Sequence, residues 1–192
     1  MKMPLGWAKE FAAIDCTPQE YADRMTMSGS KVECWESPAD EISNVVIGKI
    51  LDIVPHPDSD HMVVCQVDVG EAAPVQIVTG AANLKVGDLC PTALHDSRLP
   101  GGKKITRGRL RGVESNGMLC SLAELGLTTH DFPYAIENGI LVLDARDYPD
   151  GLPAPGTPAA AALGLDDVTV EFEITPNRPD CLGVKALGRE TA

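Results

Sequence analysis

Aromatic side chains are scarce, 4% of 192 residues, so aliphatic groups must fill most of any core. No stretch reaches the ~20 apolar residues that a membrane-spanning helix needs. The opening MKMPLGWAKEFAAID is interrupted by Lys9, Glu10 and Asp15 where a signal peptide would carry its apolar run, which points to a cytoplasmic protein. The six cysteines, Cys16, Cys34, Cys65, Cys90, Cys120 and Cys181, form no C-x-x-C pair and no framework spacing. Several alternate with apolar residues, as in MVVCQVDVG, and read as reduced, buried thiols rather than as disulfides or zinc ligands.

Nucleotide-loop signatures are missing too. Around PGGKKIT, Ser97 stands where a Walker loop needs glycine, and Lys104 where it needs Ser or Thr. There is no G-x-G-x-x-G run. Cys120 and Ser121, with His95 or His130 as a base, lack the spacing of a triad, so no catalytic residue is assigned.

Basic residues are outnumbered, 16 against 28 acidic, for a net charge of −12. This argues against a general nucleic-acid or membrane coat. Yet Arg98, Lys103, Lys104, Arg107, Arg109 and Arg111 follow one another with no acidic residue between them. In ITRGRLRGV the three arginines alternate, so a strand would project them on one face. Guanidinium groups bind phosphate bidentately, and such a row suits a polyanion.

VPHPDSDHM holds His56, Asp58, Asp60 and His61 and invites a metal reading. Pro55 and Pro57 exclude the helix that would align two histidines, and Asp58 and Asp60 favour turns. The string reads as the connection between two strands, with no metal assigned.

TPQEYADRMTMSG is a helix with both ends written in: Thr17 as N-cap, Pro18 at N1, Glu20 at N3 and Gly29 as stop. KVECW is a short strand. From Asn44, NVVIGKILDIV (bending at Gly48), MVVCQVDVG, VQIVTGA, DLCPTAL, ITRGRLRGV and GILVL read as strands of a small barrel, with SLAELGL as a helical turn or two. Pro149 to Pro158 reads as a linker. Beyond it come a short helix capped by Thr157, the strand DVTVEFEIT with Val168, Val170, Phe172 and Ile174 on one face, and a last helix capped by Asp180.

HPDSDHMVVCQVDVG, QIVTGAANLKVGD, LPGGKKITRGRLRGVESNGMLCSLAELGL and GILVL together resemble the tRNA-binding OB-fold module. That module occurs in bacterial phenylalanyl-tRNA synthetase beta chains, in endothelial-monocyte-activating-polypeptide-type proteins and in free-standing tRNA-binding proteins. The resemblance runs from about Ile42 to Tyr148. The flanks, above all EITPNRPDCLGV, look like the synthetase beta chain and extend the likeness over nearly the whole sequence.

The resemblance implies a mainly β protein with α/β flanks, an OB-fold barrel over 42–148 inserted into a small split α/β domain. Residues 1–41 form its first half, and 149–192 supply the linker and the second half. It implies the N-terminal portion of a longer beta subunit, in a cytoplasmic enzyme of two alpha and two beta chains that joins phenylalanine to tRNA(Phe) with ATP and magnesium. The aminoacylation site of that class II enzyme lies in the alpha chain, so this segment is expected to hold no catalytic residue and no cofactor. Asn83 of GAAN and Ser115, Gly117 and Met118 of ESNGM fall at characteristic positions of the module; Asn177, Arg178 and Asp180 match TPNRPD. Asn83, Ser115 and Met118 join the six cations as candidate tRNA contacts. The family usually has Lys or Arg where His61 stands. Two other readings stay open: a free-standing tRNA-binding OB protein, and a structural barrel whose cations meet acidic partner surfaces.

Overall fold

Local signals decide the first elements of the computed structural model, which describes residues 1–192. Strand β1 (Lys2–Pro4) leads into α1 (Leu5–Ala8), α2 (Pro18–Ser28) and β2 (Val32–Glu36). The central region follows with β3 (Ser43–Pro55), β4 (Val63–Asp68), β5 (Val75–Thr79) and β6 (Leu89–Leu99). After these come four three-residue strands, β7 (Lys103–Ile105), β8 (Gly108–Leu110), β9 (Val113–Ser115) and β10 (Gly117–Leu119). The chain closes with α3 (Ala159–Ala162), β11 (Thr169–Phe172) and α4 (Val184–Thr191). Two compact units result: Met1–Asp40 with Leu165–Ala192, and Glu41–Gly164.

In the first unit, three antiparallel strands run in the order β1-β11-β2. Alternation along β11 buries Val170 and Phe172 among Met3, Leu5, Tyr21, Met25 and Leu187, with Val168 and Ile174 packed against them. Tyr21 meets Phe172 edge-to-face at 6.4 Å, and its hydroxyl lies 2.8 Å from Thr191 Oγ1. The capping box of α2 is complete: Thr17 Oγ1 accepts from the Glu20 amide, and Glu20 Oε2 accepts from the Thr17 amide. Gly29 ends the helix at φ 111°. Asp180, by contrast, caps nothing. It lies in a 3-10 turn and pairs with Arg178 at 3.0 Å, while α4 starts from Gly183.

In the second unit the sheet runs β10-β6-β3-β4-β5, with β7 on β6. Its two ends approach where the Asn116 amide donates to the Gln76 carbonyl at 2.8 Å and the Val78 amide donates to Ser115 Oγ at 3.1 Å. The sheet is thereby a nearly closed barrel of the OB type, filled by aliphatic and thiol groups such as Ile50, Cys65, Val67, Ile77, Cys90 and Leu119. Burial pushes the Cys90 and Cys120 thiols up to about 12, and all six cysteines are free.

Four further expectations differ. The apolar run GILVL is no strand; Ile140, Leu141 and Leu143 are buried, and only an isolated bridge from Ile140 to Ser121 is ladder-like. Gly48 marks close packing rather than a bend, since a Cβ there would lie 2.5 Å from Val67 Cγ1; β3 changes register at Ser43/Val45 and Ile50/Asp52 instead. The segment read as a linker is pinned to β3, with the Gly156 amide donating to the Ile47 carbonyl and the Ile47 amide to the Thr157 carbonyl, both at 2.8 Å. Thr157 does not cap α3; its hydroxyl donates to the Ala154 carbonyl at 2.7 Å.

Candidate nucleic-acid interface

The basic segment is not one strand. β7 ends at Ile105, and Gly108–Leu110 pairs with Val113–Ser115 as a separate hairpin. Its two-residue turn puts Arg111 at φ 45° and Gly112 at φ 85°. Both left-handed values are what a type I′ turn demands, because that turn follows the twist of the strands it joins. The expected one-face row of arginines is therefore broken: Arg107 precedes the hairpin, Arg109 lies within it and Arg111 stands at its tip.

Half of the six cations have acidic neighbours. Lys103 meets Glu124 at 2.8 Å, Lys104 meets Asp96 at 2.7 Å and Arg109 meets Glu114 at 2.7 Å. The Lys104 ammonium holds the Asp96 carboxyl below its usual range. Glu124 is also held low: its burial opposes the charge, but Lys103 and the Ser121 amide outweigh it. Arg98, Arg107 and Arg111 form no ion pair. Arg111 donates from Nη1 to the Asp58 carbonyl at 3.2 Å.

Clefts surround the hairpin. One of about 460 Å³ is lined by Asn44, Glu71, Pro74, His95, Arg107 and Asn116, among others. Arg107 and Asn116 also border a second of about 390 Å³, together with Arg109 and Glu114. A third of about 320 Å³ includes Lys104, Arg109, Leu110 and Met118. Arg98, Lys103 and Asn83 line none of these three.

A bulge shapes the first of these clefts. Ser43 pairs with Arg98 and Val45 with Ala93, so Asn44 alone faces Leu94 to Ser97. Asn44 and Asp96 both have positive φ, 56° and 69°. Bulges re-aim side chains in this way, often beside functional sites. Asn44 Nδ2 donates to the His95 carbonyl at 2.7 Å, and His95 Nδ1 accepts the Arg107 amide at 3.1 Å.

Asn83, Ser115 and Met118, carried over from the resemblance, differ in their surroundings. Asn83 clamps Ile140, donating from Nδ2 to its carbonyl at 2.9 Å and accepting its amide on Oδ1 at 3.1 Å. Ser115 is buried, accepting from the Val78 amide and donating to the Gly117 carbonyl at 2.9 Å. Met118 is half-buried in the third cleft, with its sulfur 3.9 Å from Lys103 Nζ. Gly117 packs tightly, since a Cβ there would lie 2.5 Å from the Ala93 carbonyl oxygen. Asn44, His95 and Asn116 were missed as a group: a bulge brings the first two together, the barrel closure at Gln76 places the third, and no spacing in the sequence announces either.

The string VPHPDSDHM is a turn whose first histidine is buried. His56 Nε2 lies 3.0 Å from the Leu110 carbonyl, and Nδ1 accepts the Asp58 amide at 3.0 Å. Both ring nitrogens are thus engaged by the backbone. Elsewhere Asp180, Cys181 and Glu190 bring ligand-type atoms within 4.8 Å of one another. Arg178 bonds all three, at 3.0, 2.9 and 2.9 Å, and takes the position a cation would need. No helix is long and apolar enough to cross a membrane.

A family model described as a putative tRNA binding domain matches residues 45–140. The phenylalanine–tRNA ligase beta subunit of Clostridium acetobutylicum is 50% identical over 192 residues, covering 100% of this chain and 23% of that protein. The corresponding subunit of Moorella thermoacetica is 44% identical over the same length and the same shares. That of Staphylococcus aureus is 42% identical over 186 residues, 97% of this chain and 22% of the relative. The chain thus spans less than a quarter of these relatives. Among solved structures, the C-terminal domain of Plasmodium vivax p43 aligns with a TM-score of 0.34 at 21% identity, over 42% of this chain and 46% of that one.

Proposed function

This chain belongs to the putative tRNA binding domain family, and from that premise we propose that it is the tRNA-binding and scaffolding part of a phenylalanine–tRNA ligase beta subunit. The carrying observation is identity of 42–50% to such subunits across all or nearly all of the chain, flanks included. In this reading the barrel contributes a tRNA(Phe)-facing surface around the β8–β9 hairpin, and the three-stranded unit contributes architecture. ATP, magnesium, the alpha chains and the ligation itself belong to the whole cytoplasmic enzyme, and the segment contributes no catalytic group.

Arg98, Arg107 and Arg111 are the cations this reading assigns to phosphates, because Lys103, Lys104 and Arg109 already face carboxylates. An exposed ion pair is weak, yet each paired carboxylate offsets the charge an RNA would meet. Asn83 and Ser115 act through the barrel's construction, and Met118 offers a half-exposed thioether beside the hairpin. Titration of labelled tRNA(Phe) with the chain at low salt tests the reading. Saturable binding that falls on Arg98→Gln/Arg107→Gln/Arg111→Gln is expected; no binding at ~20 mM salt, where phosphate contacts are strongest, overturns it.

A further inference from the structure

We propose that the cleft between the β6 bulge and the β8–β9 hairpin is a pocket for one nucleotide of single-stranded RNA, its phosphate on Arg107 and its base against the Asn44–His95–Asn116 wall. This deepens, and rests on, the tRNA-binding reading of the same face.

Size comes first. At about 460 Å³ the cleft falls within the ~300–1,000 Å³ usual for small-ligand sites. Its wall is mixed, with Pro74, Val75 and Leu94 supplying apolar surface and the remaining groups polarity. A nucleobase needs that combination: an apolar surface for its faces and hydrogen-bonding groups for its edge.

The donors and acceptors are placed and open. Asn44 uses Nδ2 on the His95 carbonyl, which leaves Oδ1 as an acceptor. His95 uses Nδ1 on the Arg107 amide, so its neutral ring carries the proton on Nε2 as a donor. Asn116 is fixed through its backbone, by the bond to Gln76, and its side-chain amide offers both a donor and an acceptor. These contacts come from three strands or their junctions, and the bulge that carries Asn44 and His95 holds two non-glycine residues at positive φ, Asn44 and Asp96. Conformations of that kind cost energy and cluster at binding sites.

Charge selects the class of ligand. Arg107 forms no ion pair, unlike the neighbouring Lys104 and Arg109. Glu71 also lines the cleft, so the pocket is near neutral overall. Free inorganic phosphate therefore gains little there. A nucleotide satisfies both ends, with phosphate on the guanidinium and a ribose hydroxyl or base N–H on the carboxylate.

The test is amide and arginine-Nε NMR of the whole 192-residue chain, titrated with each of the four ribonucleoside 5′-monophosphates and, separately, with inorganic phosphate. Saturable shifts at the Asn44 and Asn116 side-chain amides and at Arg107 are expected with at least one nucleotide and not with phosphate. Arg107→Gln is expected to weaken that binding about tenfold or more, and Lys104→Gln less than about twofold, because charge-assisted bonds to phosphate are the stronger kind. Silence at the cleft with all four nucleotides at ~10 mM, equal shifts with phosphate, or no effect of Arg107→Gln overturns the proposal; ~10 mM lies above the Kd of even a weak fragment. If tRNA binds while the cleft stays silent, the pocket falls and the tRNA reading stands. If nucleotides occupy the cleft while tRNA does not bind, the tRNA reading falls, and with it the assignment of the pocket to RNA.

Discussion

His56 and Leu110, far apart in sequence, are joined by a hydrogen bond of 3.0 Å from the imidazole Nε2 to the peptide carbonyl. This bond ties the β3–β4 turn to the hairpin that carries Arg109 and Arg111, and Arg111 returns a bond to the Asp58 carbonyl in the same turn. The buried imidazole is therefore a strut beneath the basic tip. His56→Ala is expected to cost about 1–3 kcal/mol, because it leaves the Leu110 carbonyl and the Asp58 amide without partners. Urea unfolding gives the cost, and hydrogen exchange should show faster exchange over residues 108–115. Unchanged exchange there would mean the hairpin is held by other contacts.

Two glycines test how closely the barrel strands pack. A methyl group on Gly48 would press on Val67 and Thr92, and one on Gly117 on the Ala93 carbonyl. Gly48→Ala and Gly117→Ala are each expected to destabilise by about 1–3 kcal/mol, the usual range for overpacking. Gly108→Ala meets nothing within 4 Å and serves as the control. Equal midpoints for all three in denaturant would refute the close-packing role.

Asn83 separates architecture from recognition. Its side-chain amide makes both bonds to Ile140, a buried residue, so Asn83→Ala is expected to lose about 1–3 kcal/mol of stability. Affinity for tRNA of the still-folded variant should stay within about twofold, or ~0.4 kcal/mol. A large loss of affinity with stability intact would make Asn83 a direct contact.

Much of this was legible in the sequence wherever the cause is local. Thr17, Pro18, Glu20 and Gly29 set the limits of α2 without help from distant residues. The alternation in β4 and β11 likewise follows from burial of one face. The arginine row was not legible, because its alternation concealed a turn at Arg111–Gly112 that only the backbone angles reveal. GILVL misled because burial alone explains its apolar character: the Leu141 and Leu143 amides donate to the Cys120 and Leu89 carbonyls, outside any ladder. The cleft was invisible for a similar reason, since Asn44, His95 and Asn116 meet only through long-range pairing and a bulge.

Acid should expose one local ion pair. Hydrogen bonds from the Arg146 guanidinium, at 2.8 and 2.6 Å, and then from its backbone amide hold the Asp144 carboxyl down to about 2, below its ordinary 3.8. A carboxylate lowered on folding stabilises the native state above its unfolded value and loses that contribution as pH falls through the folded one. The loss is therefore expected between about pH 4 and 2. Carbon-detected NMR of Asp144 should give a midpoint near 2, moving toward ~3.9 in Arg146→Gln. An ordinary midpoint in the unsubstituted chain would show that the pair does not persist in solution.

The salt dependence of tRNA(Phe) affinity tests the assignment of an RNA-facing barrel most directly. Three cations without acidic partners should give a slope of log K against log salt of about −2 to −3. Arg107→Gln should reduce its magnitude by ~0.7–0.9, while Lys104→Gln, whose ammonium already meets Asp96 at 2.7 Å, should leave it nearly unchanged. A slope near zero, or equal losses from the two substitutions, would contradict the assignment.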